Sequence, residues 1–175
     1  GERVPTDVPV VAAAGGRGEG PTDGTVTIQL VTEKHIAPSL IDMLEGVQEG
    51  DEVRIQMFYL SYQPVLDAIV EASTRTDKPV RLLLDANKDA FNIEKDGTPN
   101  RQVARWLLEN AEERGGRIEI RWYATHGEQN HAKIMTVSNP ARDRYRLTTG
   151  STNWTGRNLA GVNMESNIVV EGHRA

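Results

Sequence analysis

The residues of this chain whose types and spacing could do chemistry lie between His131 and Asn153: His131, Lys133 and, one strand later, the run Gly150-Ser151-Thr152-Asn153. On an extended strand successive side chains alternate faces. His131 and Lys133 are therefore expected on one face, roughly 6–7 Å apart along the strand, with Ala132 and Ile134 turned into packing. One surface then presents an imidazole and an ammonium. A glycine at the end of an apolar strand lets the backbone approach a ligand closely, and Ser151 and Asn153 add hydroxyl and amide donors. Donors converging on a nucleophile suit a phosphate.

Displacement at a phosphodiester needs a nucleophile, neutralisation of the non-bridging oxygens and an acid for the leaving alkoxide. His131 is the best nucleophile in the set. A neutral imidazole attacks phosphorus without prior deprotonation, and its ordinary pKa of about 6.5 leaves it mostly neutral at physiological pH. Lys133 and Asn153 would hold the non-bridging oxygens, with Ser151 contributing a hydroxyl. One histidine cannot be both the attacking base and the acid in the same step, because the two tasks need opposite protonation states. A second histidine is required, and His126 is a candidate within the chain. An attacking histidine also needs its other ring nitrogen fixed, usually by a carboxylate.

The H-x-K of His131 and Lys133 followed by the G-S-x-N of Gly150 to Asn153 resembles the phospholipase D superfamily. The strings Thr125 to His131 and Asn153 to Leu159 are similar to the carboxy-terminal repeat of bacterial cardiolipin-synthase-like phospholipases, and the likeness runs from about Val26 to Val170. The resemblance implies a phosphodiesterase working through a phosphohistidine at His131, with Lys133 and Asn153 as further catalytic residues and Lys133, Ser151 and Asn153 as substrate-binding ones. It also implies that Glu165, in Asn163-Met164-Glu165, orients the histidine. The second histidine would come from another H-x-K repeat, supplied by a homodimer partner or by the other half of a longer chain. No metal or other cofactor is expected, since lysine and amide donors do the charge work. One position departs from the family pattern: Ser138 stands where the motif has an aspartate.

The likeness favours phospholipid as substrate, for hydrolysis or phosphatidyl transfer. A nuclease homodimer of the same superfamily and an inactive half-domain that scaffolds a partner repeat are the alternatives. It also favours a bacterial protein, peripheral to a membrane or extracytoplasmic, although the residues themselves leave the compartment open.

Composition sets the outer bounds. With 175 residues, 38% of them hydrophobic, the chain is long enough for one domain with a real core and too short for two of ordinary size. A net charge of −5 offers no general basic field for nucleic acid, which makes that partner the less favoured one. The absence of cysteine removes disulfides and thiolate chemistry. No apolar run approaches the ~20 residues that span a bilayer.

The elements that must position these side chains follow from periodicity. Residues 1–24, rich in Gly, Pro and Ala, read as a flexible arm or inter-repeat linker, and 25–175 as the domain. Strands are expected at Val26–Val31, Val53–Leu60, Val80–Leu84 and Ile118–Tyr123, the second apolar on both faces as if covered by helices on each. Between them fall helical patterns from Pro38 to a stop at Gly50, from Pro64, and from Thr98-Pro99 to Gly115-Gly116. Ala86 to Thr98 reads as a polar loop, in which Asn87 to Phe91 and Lys95 could line a ligand. Strands at His131–Val137, Tyr145–Thr149 and Ser166–Val170 follow, with one or two helical turns at Trp154–Leu159. The fold class is α/β, with a mixed, largely parallel central sheet flanked by helices in the manner of a single phospholipase D-like repeat.

Overall fold

A computed structural model of the chain describes residues 25–86, 89–90, 93–94, 98–123 and 129–173. In chain order these form β1 (Thr25–Thr32), α1 (Ile36–Glu45), β2 (Glu52–Met57), α2 (Gln63–Arg75), β3 (Val80–Leu84), a small hairpin of β4 (Asp89–Ala90) and β5 (Ile93–Glu94), and α3 (Asn100–Glu113). Then come β6 (Ile118–Trp122), β7 (Lys133–Asn139), β8 (Arg144–Gly150), α4 (Gly156–Leu159) and β9 (Ser166–His173).

Seven strands build one mixed sheet in the order β1-β9-β8-β7-β2-β3-β6. The expected α/β class with a mixed sheet and flanking helices is what the chain adopts. Its parallel part is confined to β2, β3 and β6. The segment from β7 onward returns as antiparallel hairpins, and β1, expected to lead the parallel series, lies at the far edge, antiparallel to β9. The physical reason is connection length: the short turn at Pro140–Arg142 can join only antiparallel neighbours, whereas the helical crossovers α2 and α3 are long enough to return the chain parallel.

Helices α1, α2 and α3 lie side by side. Their apolar stripes, among them Leu40 and Leu44, Val65 and Ile69, and Val103 and Leu107, share one core with Val53, Ile55, Met57, Leu82, Leu84, Met135 and Val137 from the sheet. Pro64 sits in the first turn of α2, where its missing N–H costs nothing.

Three local expectations are corrected. Strand β2 is not apolar on both faces: Val53, Ile55 and Met57 are buried, whereas Arg54 is exposed and Glu52 and Gln56 are half-buried. The opposite sheet face stays open among the described residues, with Leu30 68% exposed, and a shallow groove of about 620 Å³ crosses it beside Arg54, Gln56 and Arg81. Helix α1 ends at Gly46 rather than Gly50, which takes a left-handed turn conformation just before β2. The stretch 86–98 contains the β4–β5 hairpin rather than only loop. The expected arm at 1–24 and the ligand-lining role of Asn87, Lys88, Phe91 and Lys95 lie outside the described residues.

Candidate active site

The parallel strands β2 and β3 deliver their carboxyl ends to one edge of the sheet, and β7, antiparallel to β2, starts at that same edge. Ligands gather at this edge in α/β sheets because loops and free backbone groups converge there. Lys133 is the register partner of Met57, and the end of β8 brings Gly150 to the same edge, opposite Asn167.

The two halves of the motif are joined by a segment that sequence reasoning passed over. Phe58, immediately after β2, donates its backbone N–H to the carbonyl of Ala132 at 3.0 Å, between His131 and Lys133. Its neighbour Tyr59 accepts the Trp154 N–H at 3.0 Å, and Trp154 in turn accepts the N–H groups of Ser61 and Tyr62 at 2.8 and 2.9 Å. The His-Lys strand and the Gly-Ser-Thr-Asn turn are thus clamped to adjacent residues of one β2 extension. The only signal in the sequence was that the apolar run continued past Met57.

His131 and Lys133 come together, though not as the alternation rule proposed. His131 precedes the first residue of β7 and is exposed, whereas Lys133, Met135 and Val137 point into the helix-covered core and Ala132 and Ile134 are only half-buried. The phase expected for Ala132 and Ile134 is therefore reversed, because the core-facing set of β7 is fixed by its pairing with Val53, Ile55 and Met57. Lys133 is 4% exposed, and its ammonium bends back to donate to the His131 carbonyl at 2.8 Å. The Phe58 ring serves both groups: its centroid is 4.8 Å from that of the imidazole and 5.4 Å from the Lys133 Nζ.

The electrostatics follow from this packing. Burial pushes the His131 pKa below its ordinary value, the Lys133 charge pushes it the same way, and the Asp85 carboxylate opposes both. Burial likewise lowers the Lys133 pKa, with the Glu165 carboxylate opposing. The imidazole is thereby biased to its neutral form.

Gly150 is obligatory for a geometric reason. A Cβ there would collide with the Ser166 carbonyl oxygen and the Asn167 side-chain oxygen and fall 2.6 Å from the Asn167 Cα, inside the backbone of β9. Behind it Thr152 donates to Asn167 Oδ1 at 2.7 Å, both side chains buried, and this pins the turn from which Asn153 projects. Asn153 is half-buried, and its side-chain oxygen has no hydrogen-bond partner among the described residues.

Glu165, expected to orient the imidazole, lies against the Gly-Ser-Thr-Asn turn. Its carboxylate accepts hydrogen bonds from the Ser151 hydroxyl and the Asn158 side-chain amide, and its charge acts on Lys133. The charged groups acting on the imidazole are Lys133 and Asp85. Ser151 and Asn158 of α4 each take one of the Glu165 oxygens, which fixes the carboxylate at this turn and leaves each oxygen a further lone pair. Asn158 was not foreseen as a site residue; Thr155 holds it in turn, donating to its Oδ1 at 2.6 Å.

Ser138, at the position of the motif aspartate, lies roughly 16–17 Å down β7 from Lys133. It pairs with Glu52 and Tyr145, so the departure leaves the catalytic edge untouched. His126 falls outside the described residues. Among the described residues no three His, Asp or Glu side chains gather as a metal site, and no helix is long and apolar enough to cross a membrane.

Comparison with known proteins adds an independent line. A family described as cardiolipin synthase, PLD-like domain matches residues 40–175. No curated protein is similar enough to count as a match. Among solved structures, Nuc of Salmonella typhimurium, described as a phospholipase D family member, is 17% identical with a TM-score of 0.57, the match covering 85% of this chain and 83% of that one. NucT from Helicobacter pylori is 17% identical with a TM-score of 0.59, at 85% and 86% coverage. The phosphatidylserine synthase of Haemophilus influenzae is 15% identical with a TM-score of 0.58, this chain spanning 34% of its length. At these identities the likeness is one of fold.

Proposed function

The chain belongs to the family of cardiolipin synthase, PLD-like domains, and from that premise we propose that it is a phospholipase D-type phosphodiesterase acting on phospholipid through a phosphohistidine at His131. The observation that carries this reading is the exposed imidazole of His131 standing beside the buried, backbone-anchored ammonium of Lys133 at the carboxyl edge of the sheet.

A ring nitrogen of neutral His131 attacks phosphorus. The P–N bond forms as the P–O ester bond breaks, and the departing alkoxide takes a proton from an acid. Lys133 and the side-chain amide of Asn153 hold the non-bridging oxygens, with Ser151 alongside, so the charge that builds in the transition state meets donors already in place. Water, or an alcohol in a transfer reaction, then attacks the phosphohistidine and regenerates the imidazole. Glu165 orients the imidazole and supports the lysine and the serine. The acid is the His131 of a second copy, or a histidine of another H-x-K repeat, because the nitrogen that attacks phosphorus must be unprotonated and so cannot also protonate the leaving oxygen.

A nuclease is the second reading, favoured by one observation: Nuc and NucT match this chain over 83% and 86% of their own lengths. The test is hydrolysis of a fluorescent phospholipid and of plasmid DNA, each with and without EDTA, followed by acid trapping of phosphorus-labelled protein. Lipid turnover with label on His131 is the expected result. Turnover of DNA alone selects the second reading. A monomer by light scattering that turns over neither substrate and never takes label would make the chain an inactive half that scaffolds a partner repeat.

A further inference from the structure

We propose that Asp85 is a positioning residue for His131, its buried carboxylate fixing the backbone that leads into the histidine and giving the imidazole an anionic neighbour. The proposal rests on the reading of His131 as nucleophile.

A carboxylate that is 2% exposed is costly to bury, so the fold must hold it with hydrogen bonds. Asp85 follows the last residue of β3. Its Oδ2 accepts the backbone N–H of Asn130 at 2.7 Å, its own N–H donates to the Met57 carbonyl at 3.1 Å, and its carbonyl accepts the Asn100 amide at 3.0 Å. Asn100, fully buried at the start of α3, also donates to the Phe58 carbonyl at 2.7 Å and accepts the Leu60 N–H at 3.0 Å. One amide therefore ties the ends of β2 and β3 together and aims the Asp85 carboxylate at the residue before His131. The Asn130 side chain is held as well, its Oδ1 accepting from Gln56 at 2.6 Å.

This anchoring matters because His131 lies outside the hydrogen-bonded ladder of β7, which begins at Lys133. Lys133 from β7 and Asp85 from the end of β3 act on the ring, Phe58 packs against it, and the Glu165 carboxylate acts on Lys133. When the imidazole nitrogen forms its bond to phosphorus the ring gains positive charge. A fixed carboxylate nearby stabilises that charge, whereas Lys133 opposes it and is needed for the phosphoryl oxygens. Asp85 lets the site keep a cation beside an imidazole that must itself become cationic.

The experiment is a histidine-imidazole NMR titration of the full chain, with His131 assigned from His131→Gln, in the wild type and in Asp85→Asn. The asparagine keeps an oxygen for the Asn130 N–H and removes the charge. The His131 midpoint is expected to move to lower pH, and kcat is expected to fall about tenfold to a hundredfold with KM little changed. An unmoved His131 midpoint overturns the proposal. If Asp85→Asn fails to fold, the side-chain carboxyl carbon of Asp85 in the wild type decides: it must show an inflection at the His131 midpoint, and a featureless response there overturns the proposal. Both titrations are read without substrate. A protein that hydrolyses no diester would sink the functional reading, whereas a titration without coupling would sink only the role of Asp85.

Discussion

The Lys133 ammonium is bonded to the main-chain carbonyl of His131 across 2.8 Å, so the cation is anchored to the very residue it assists. A lysine with its four-carbon stem in the core and its head held by backbone has little freedom left to lose when a phosphate arrives. The same closeness presses the imidazole toward neutrality, since two cations side by side repel. Imidazole and ammonium are thus tuned by one contact.

The first consequence is a pH profile. Because the His131 pKa is lowered in the folded protein, the acid limb of kcat/KM should have its midpoint below the ordinary histidine value of about 6.5. Stability carries the same sign. Below about pH 6.5 the unfolded chain binds a proton at this histidine that the folded one resists, so stability falls as pH drops from there to the folded midpoint and this contribution is flat beyond it. An acid limb above 6.5 would contradict the packing described for the ring. Rate measurements from pH 4.5 to 8, with denaturant melts over the same range, provide the check.

Gly150 supports the second prediction. Replacement by alanine drives a methyl group into the Ser166 carbonyl oxygen and Asn167 of β9, which are backbone-fixed and cannot turn aside. A loss of about 1–3 kcal/mol is expected, as for other overpacked sites, visible as a lower urea midpoint at unchanged slope. Thr152 and Asn167 lie behind the same turn, so activity should fall further than stability alone accounts for.

Much of this fold was legible because periodicity and punctuation agreed. Pro64 opens α2, the apolar stripes of the three large helices appear at helical spacing, and Gly115 terminates α3 with a left-handed backbone. The H-x-K and G-S-x-N runs gave the chemical residues themselves. What stayed hidden depends on contacts between residues far apart in the chain. The phase of β7 was read backwards because Lys133 counts as polar in any pattern, although pairing with β2 forces it inward. Asp85 looked like the end of a strand, and only the fold sets its carboxylate against Asn130, 45 residues on. The resemblance singles out Glu165 but not its partners Ser151 and Asn158, which follow from how α4 folds back on the turn.

Asn158 yields the third prediction. Its amide occupies one Glu165 oxygen, while Thr155 occupies its own carbonyl, so Asn158→Ala frees the carboxylate from α4 and leaves the half-buried Glu165 oxygen and Thr155 hydroxyl without this partner. Losing a hydrogen bond of this kind costs about 0.5–1.5 kcal/mol. The diagnostic readout is chemical: with Glu165 no longer fixed, its opposition to the lowering of the Lys133 pKa weakens. The Lys133 titration, followed by NMR of the side-chain carbon next to nitrogen, should then move to lower pH. Asn158→Asp, which places a second carboxylate against Glu165, should be worse than Asn158→Ala in both stability and rate.

Lys133→Met separates function from stability at one position. Burial opposes the charge of this lysine, as its lowered pKa records, so between the folded midpoint and about pH 10.5 the unfolded chain holds a proton more readily than the folded one. At neutral pH the cation is therefore a cost to folding that an apolar side chain of similar length avoids, and methionine adapts well to such a slot. For a chain of this size a gain of about 1 kcal/mol would raise Tm by about 2–4 °C. Turnover should fall by about 10²–10³, the usual loss when a principal stabiliser of transition-state charge is removed. The His131 midpoint should rise toward its ordinary value as the neighbouring cation disappears. Calorimetry, single-turnover kinetics and the imidazole titration test the three arms separately. A variant that melts lower and titrates as the wild type would mean that Lys133 is a structural lysine, and the proposed clamp on the phosphoryl oxygens would have to be sought elsewhere.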